Sequence, residues 1–187
     1  MEVSPSEEKR PQRRVKTVLR TIRLSEELEG KLERLAAEKG IAMNALVSSA
    51  LTKYAQWDHL TERFGFVNIS KALFKDFIDA ADPDKVQELA RAHRPQIIKD
   101  MMMFWFQDVT VDNFLEFLSM RGRYGLDIKV EIKREGNSIT LIVTHDFGHL
   151  YTAFLRTALE EEFRTLFKVV PTIDSTDSSV MVKVSLE

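Results

Sequence analysis

Residues 15–57 read VKTVLRTIRLSEELEGKLERLAAEKGIAMNALVSSALTKYAQW, and the order of elements in this stretch decides the expected fold. Val15–Leu24 alternates as a strand does: Val18, Ile22 and Leu24 face one way, with Arg20 among them, and Leu19, Thr21 and Arg23 face the other. Ser25 is a helix N-cap, and Glu26 and Glu27 suit the positive end of the helix dipole. Leu28, Leu32, Leu35 and Ala36 stripe that helix until Gly40, a left-handed stop. Met43, Leu46, Val47, Ala50, Leu51 and Tyr54 recur at the spacing of a second helix. A lone strand leaves its backbone donors and acceptors unpaired, and two short helices bury little. Pairing with the same strand of a second copy would answer both needs and make the protein a homodimer.

The run Thr21-Ile22-Arg23-Leu24-Ser25-Glu26-Glu27-Leu28, with Gly40-Ile41 leading into Asn44-Ala45-Leu46-Val47, resembles the ribbon-helix-helix family of CopG, Arc, MetJ and NikR-type DNA-binding proteins, over residues 17–56. The resemblance implies a β-α-α unit that intertwines as a dimer and lays a two-stranded ribbon in the major groove of double-stranded DNA. It maps base contacts onto Leu19, Thr21 and Arg23. It maps a phosphate clamp onto the start of the second helix, where Asn44, Lys39 and the backbone amides of residues 41–44 would serve. Leu19 is apolar and Ala42 lacks a hydroxyl at positions where the family is usually polar.

Upstream, residues 1–14 are polar, hold Pro5 and Pro11, and read as a disordered basic arm. Arg13, Arg14 and Lys16 are its candidate phosphate contacts. Residues 1–57 carry 11 Lys and Arg against 8 Asp and Glu, whereas the remainder carries 16 against 21, so the net charge of −2 hides a basic head. The chain has no cysteine, which excludes disulfides, zinc–cysteine sites and thiol catalysis. No apolar run suits a membrane span or a secretory signal, and a cytoplasmic protein is expected.

Downstream, residues 58–68 read as a linker and 69–187 as an α+β domain for sensing or oligomerisation. Ser70–Ala81 is helical, Asp82-Pro83 starts another helix, Pro95 should end or kink it, and Thr110 caps a further one. Leu126–Arg134 and Ser138–His145 suit a hairpin around Glu135-Gly136-Asn137. Asp146 is expected to cap a long helix, and Ser179–Leu186 alternates as a last strand, giving helices followed by β-β-α-β.

His145 and His149 flank a strand–helix junction and are the candidate metal ligands; the competing reading is a hydrogen-bonded core histidine and a helix-start histidine. Met101–Phe106 is apolar over six residues and suits a core helix, a subunit contact or a pocket lining. Glu160-Glu161-Glu162 reads as a solvated face. No phosphate loop, nucleophile elbow or carboxylate pair supports catalysis, and no cofactor is expected. The expected function is a sequence-specific DNA-binding regulator. An antitoxin of a toxin–antitoxin pair is one alternative, although antitoxin tails are usually short and residues 66–187 look independently folded. A metal-dependent enzyme or sensor built on His145 and His149 is the other.

Overall fold

The computed structural model describes residues 18–125 and 128–186. The chain divides into two compact units, residues 1–48 and 49–187. In the first, α1 (Glu26–Lys39) starts at Ser25, whose Oγ accepts the Leu28 N–H at 3.3 Å, and stops at Gly40 in the left-handed region with φ 63°. A second helix, α2 (Met43–Lys53), begins there and runs past the division. Ala36 is the one buried hydrophobic residue described in this unit, while Leu28, Leu35 and Ile41 stay more than a third exposed.

The N-terminal β-α-α arrangement expected above is not found. Among the described residues the chain begins with helices, and residues 18–24 form no strand. The physical reason is that none of the described strands stands beside them. A strand exists through its ladder, and here Arg20 Nη1 instead donates to the adjacent Leu19 carbonyl at 3.1 Å.

The second unit continues the helical path from α2 through a π-helical turn, Tyr54–Asp58, into α3 (His59–Phe64), which ends at Gly65 with φ 88°. The connection 58–68 thus continues the helix for rather more than a turn before Gly65, and Phe64 packs on the core. Next come α4 (Lys71–Asp79), α5 (Pro83–Ala92), α6 (Arg94–Phe106) and α7 (Val111–Tyr124). Local capping explains three of these starts: Ser70 Oγ, Asp82 Oδ1 and Thr110 Oγ1 each accept an N–H of the first turn. As expected, the helix begun at Pro83 ends just before Pro95 and the chain resumes as α6. Pro95 sits in the first turn of α6, where its missing N–H is no loss.

A four-stranded antiparallel sheet follows, in the order β1-β2-β4-β3, from β1 (Lys129–Glu135), β2 (Ser138–Thr144), β3 (Thr172–Thr176) and β4 (Ser179–Ser185). Between β2 and β3 runs α8 (His149–Leu166). In the central pair, Ile139 stands opposite Val184, Leu141 opposite Val182 and Val143 opposite Val180, all six buried. Period-two alternation thus turns one sheet face into core. The helix α8 packs on β3 and β4 and against α5 and α6, while α7 packs on β1. Phe114 of α7 meets Phe163 of α8 edge-on, centroids 5.4 Å apart, with both side chains fully buried.

Two local readings change here. The segment after α8 adds a strand, so the order is β-β-α-β-β; Thr172–Thr176 has a single apolar residue, Ile173, and is a strand only because β4 supplies its ladder. Nor is Asp146 the cap of α8. Gly148, with φ 85°, precedes the helix, while Asp146 pairs with Lys71 Nζ at 2.7 Å.

Candidate functional site

The second unit holds a half-open cavity of about 680 Å³, walled by residues of the π-helical turn, α3, α4, α5, α7 and α8 and of the segment 66–69. Its aromatic wall is organised around Trp57. The π-helical turn buries this ring, and Phe66, Phe117 and Tyr124 lie 5.9, 6.3 and 6.4 Å away, centroid to centroid. A side chain at Gly125 would crowd that packing, since a Cβ there would stand 3.0 Å from both Trp57 Cζ2 and the Arg121 carbonyl. Phe74 of α4 and Phe154 of α8 complete the apolar lining around Tyr151, at 5.9 and 6.0 Å from its ring.

Against this wall stand Arg94 from the start of α6, Arg121 near the end of α7, and Tyr151 of α8. Glu162 lies on the face of α8 that carries Leu155 and Leu159 and is fully buried. It is not part of a solvated acidic face, as the run of three glutamates suggested. The helical spacing 155, 159, 162 was the sequence signal that could have placed it inside. Arg94 Nε donates to Glu162 Oε1 at 2.6 Å, with the two side chains 14% and 0% exposed. Glu162 Oε2 has no hydrogen-bond partner. Burial pushes the Glu162 carboxyl up, against the pull of Arg94 and Arg121.

Arg121 has no such partner among the described residues. No carboxylate lies within ion-pair distance of it, and its guanidinium stands 6.0 Å from the Phe117 ring centroid. Burial, reinforced by the neighbouring charge of Arg94, brings it down to about 10, so it is cationic at neutral pH. Burial raises the Tyr151 phenol, against both arginines, which keeps its hydroxyl a proton donor. The polar end of the cavity therefore has two guanidiniums and a phenol facing one buried carboxylate.

Of the residues singled out for DNA, Leu19, Thr21 and Arg23 are exposed in the segment before α1, Lys39 is exposed at the end of α1, and Asn44 is exposed in the first turn of α2. Arg13, Arg14 and Lys16 lie outside the described residues. His145 and His149 are not brought together as ligands. His145 is 5% exposed; its Nδ1 accepts the Phe147 N–H at 3.2 Å, and its Nε2 lies 3.0 Å from Thr152 Oγ1, which donates to the Asp177 carbonyl at 2.9 Å. Its own N–H donates to the Ser178 carbonyl at 2.9 Å, so the ring and backbone tie β2, α8 and the β3–β4 turn together. His149 is exposed at the start of α8. Among the described residues no group of three or more His, Cys, Asp or Glu side chains is placed to hold a metal ion.

Burial pushes the His145 imidazole below its usual range, against the pull of Asp146. A depressed value means that the unfolded chain takes up a proton first. The contribution of His145 is thus complete above about pH 6.5 and declines as the pH falls through its folded value. His145→Ala is expected to lower stability by about 1–3 kcal/mol at pH 7.5 and to flatten the fall in melting temperature between about pH 7 and 5.5. Thermal unfolding of both proteins across that range checks this. Equal slopes in the two would contradict the assignment.

By fold, the chain is a helical N-terminal unit followed by a helix-and-sheet unit with an aromatic, arginine-bearing cavity. Compared with known families, residues 5–51 match the HicB family, an antitoxin family. This replaces the ribbon-helix-helix assignment drawn from the strand-like alternation: the family similarity over these residues is to HicB, and residues 18–24 form no strand. No curated protein matches the chain. No helix among the described residues is long and apolar enough to cross a membrane.

Proposed function

We propose that the chain is the antitoxin of a toxin–antitoxin pair, and the observation that carries this reading is the match of residues 5–51 to the HicB family. On this reading its partners are a toxin and DNA, it acts as a regulator of its own pair, and it has no catalytic role. The folded second unit is an addition to the matched segment. The experiment is co-expression with the proteins encoded on either side of it. One neighbour alone should arrest growth, and this chain should restore growth and copurify with it. If neither neighbour arrests growth, or the arrest persists in the presence of this chain, the antitoxin reading falls.

DNA binding is assigned to the basic head: Arg13, Arg14, Lys16, Arg23 and Lys39, with Leu19, Thr21 and Asn44 exposed beside them. Phosphate contacts of this kind weaken as salt rises, whereas base contacts alter sequence preference. A second copy of the chain is the expected cover for the stripe of Leu28, Leu35 and Ile41, which the first unit leaves exposed. Sedimentation of the full chain, alone and with a duplex from its own upstream region, tests both assignments. A dimer that gains mass with the duplex at about 50 mM salt and loses it near 200 mM is expected; a monomer indifferent to the duplex would contradict them.

A further inference from the structure

We propose that the cavity of the second unit binds a small organic anion, with an oxyanion head held by Arg121, Arg94 and Tyr151 and a ring-bearing or chain-bearing apolar body held against Trp57, Phe74 and Phe154. The assignment concerns residues outside the HicB match, since the cavity lining begins at Lys53 and ends at Phe154. It stands whether or not the antitoxin reading does.

Donors and acceptors at the polar end decide the class of head group. Arg94 commits its Nε to Glu162 Oε1 and has its terminal nitrogens left over, Arg121 has all five donors without an ion-pair partner, and no hydrogen bond to the Tyr151 hydroxyl is found among the described residues. One carboxylate stands near two guanidiniums, so this end of the cavity is positive beside an aromatic wall. Arg121 is half-buried there with no ion-pair partner among the described residues, a placement that folding alone gives no reason to keep. A planar guanidinium fork matches a carboxylate or phosphate through two parallel hydrogen bonds, and a phenol donates to the same oxygens. A neutral apolar guest would leave Arg121 as unpaired as before.

The size of the cavity and its other charges decide the rest. A volume of about 680 Å³ far exceeds an inorganic anion and falls in the range of small-molecule sites. Asp58 and Glu62 also line it; Asp58 is paired with Lys53 at 3.2 Å, while Glu62 is exposed. These two carboxylates repel an anionic head and leave the arginines as its seat. The aromatic rings then meet the apolar body, which favours flat or chain-like hydrocarbon over sugar.

Calorimetric titration of the full chain tests the proposal with indole-3-acetate, naphthalene-2-carboxylate and dodecanoate, each against its neutral amide, and with inorganic phosphate and naphthyl phosphate. At least one carboxylate or the aryl phosphate should bind one per chain, about tenfold or more tighter than the corresponding neutral compound, with inorganic phosphate failing to displace it. Which head binds better tells a carboxylate site from a phosphate site. Arg121→Met should bring the acid down to the affinity of its amide, leave amide binding within about twofold, and melt close to the wild-type temperature because no ion pair is lost. If no acid exceeds its amide in the wild-type protein, or if Arg121→Met retains the full preference, the proposal is overturned. The wild-type ratios decide the matter without any variant.

Discussion

Arg94→Met is expected to destabilise the second unit by about 3–5 kcal/mol at neutral pH, because it strands the fully buried Glu162 without its only hydrogen-bonded cation. The loss should depend on pH in a stated direction. Burial already holds the Glu162 carboxyl above its ordinary value of 4.5, and Arg94 is the larger of the two charges pulling it back down. Without Arg94 it rises further. A carboxyl that keeps its proton longer in the folded state contributes stability that is complete below about pH 4.5 and is lost as the pH rises through the folded value. The gap between variant and wild type should therefore be small near pH 4.5 and widest above neutrality. Urea unfolding at the two ends of that range measures it. Replacing Glu162 by Met in the same chain should recover most of the loss, since two apolar side chains leave no stranded charge. A gap of equal size at both pH values would mean that the Arg94 guanidinium over the Phe154 ring, and not the ion pair, carries the effect.

Trp105→Asp should cost about 4 kcal/mol or more and abolish cooperative unfolding at moderate temperature. Trp105 lies among Trp57, Phe64, Phe66, Phe104 and Phe117, with ring centroids 5.2–6.1 Å away, so the substitution removes an aromatic filler and places a carboxylate in its stead. Its Nε1 is buried without an acceptor, so Trp105→Phe forfeits no hydrogen bond and should cost far less. Met103 gives the internal control. It belongs to the same apolar run but is 47% exposed, and Met103→Asp should stay within about 1 kcal/mol. Melting temperatures of the three variants check the order, and a Trp105→Asp protein as stable as Met103→Asp would refute the packing described here.

The same run shows where local pattern stops being informative. Six successive apolar residues do not say which face of α6 is covered; the neighbours do, burying Met101 and Met102 and leaving Met103 in solvent. Capping is different, because donor and acceptor lie within one turn of sequence. Ser25, Ser70, Asp82 and Thr110 therefore act where their residue types and spacing place them. Asp146 has the same chemistry and does not cap, since Lys71, from a distant segment, takes its carboxylate.

Sequence by itself determined the features whose partners lie within a turn or a pleat. These are the boundaries of α1 and the start of α7, the alternation that buries Ile139, Leu141 and Val143, and the basic character of the first 57 residues. Alternation in Val18–Leu24 was equally visible yet yielded no strand, because a ladder requires a second backbone and none of the described strands pairs with these seven residues. Tertiary structure decided the rest for the same reason in reverse. Thr172–Thr176 has almost no strand pattern and is a strand because β4 stands beside it. Arg94 and Glu162 are 68 residues apart, and Arg121 belongs to a third helix. Helix packing alone puts these charges at one end of one cavity, and a charge has no preferred partner until the fold has taken it out of water.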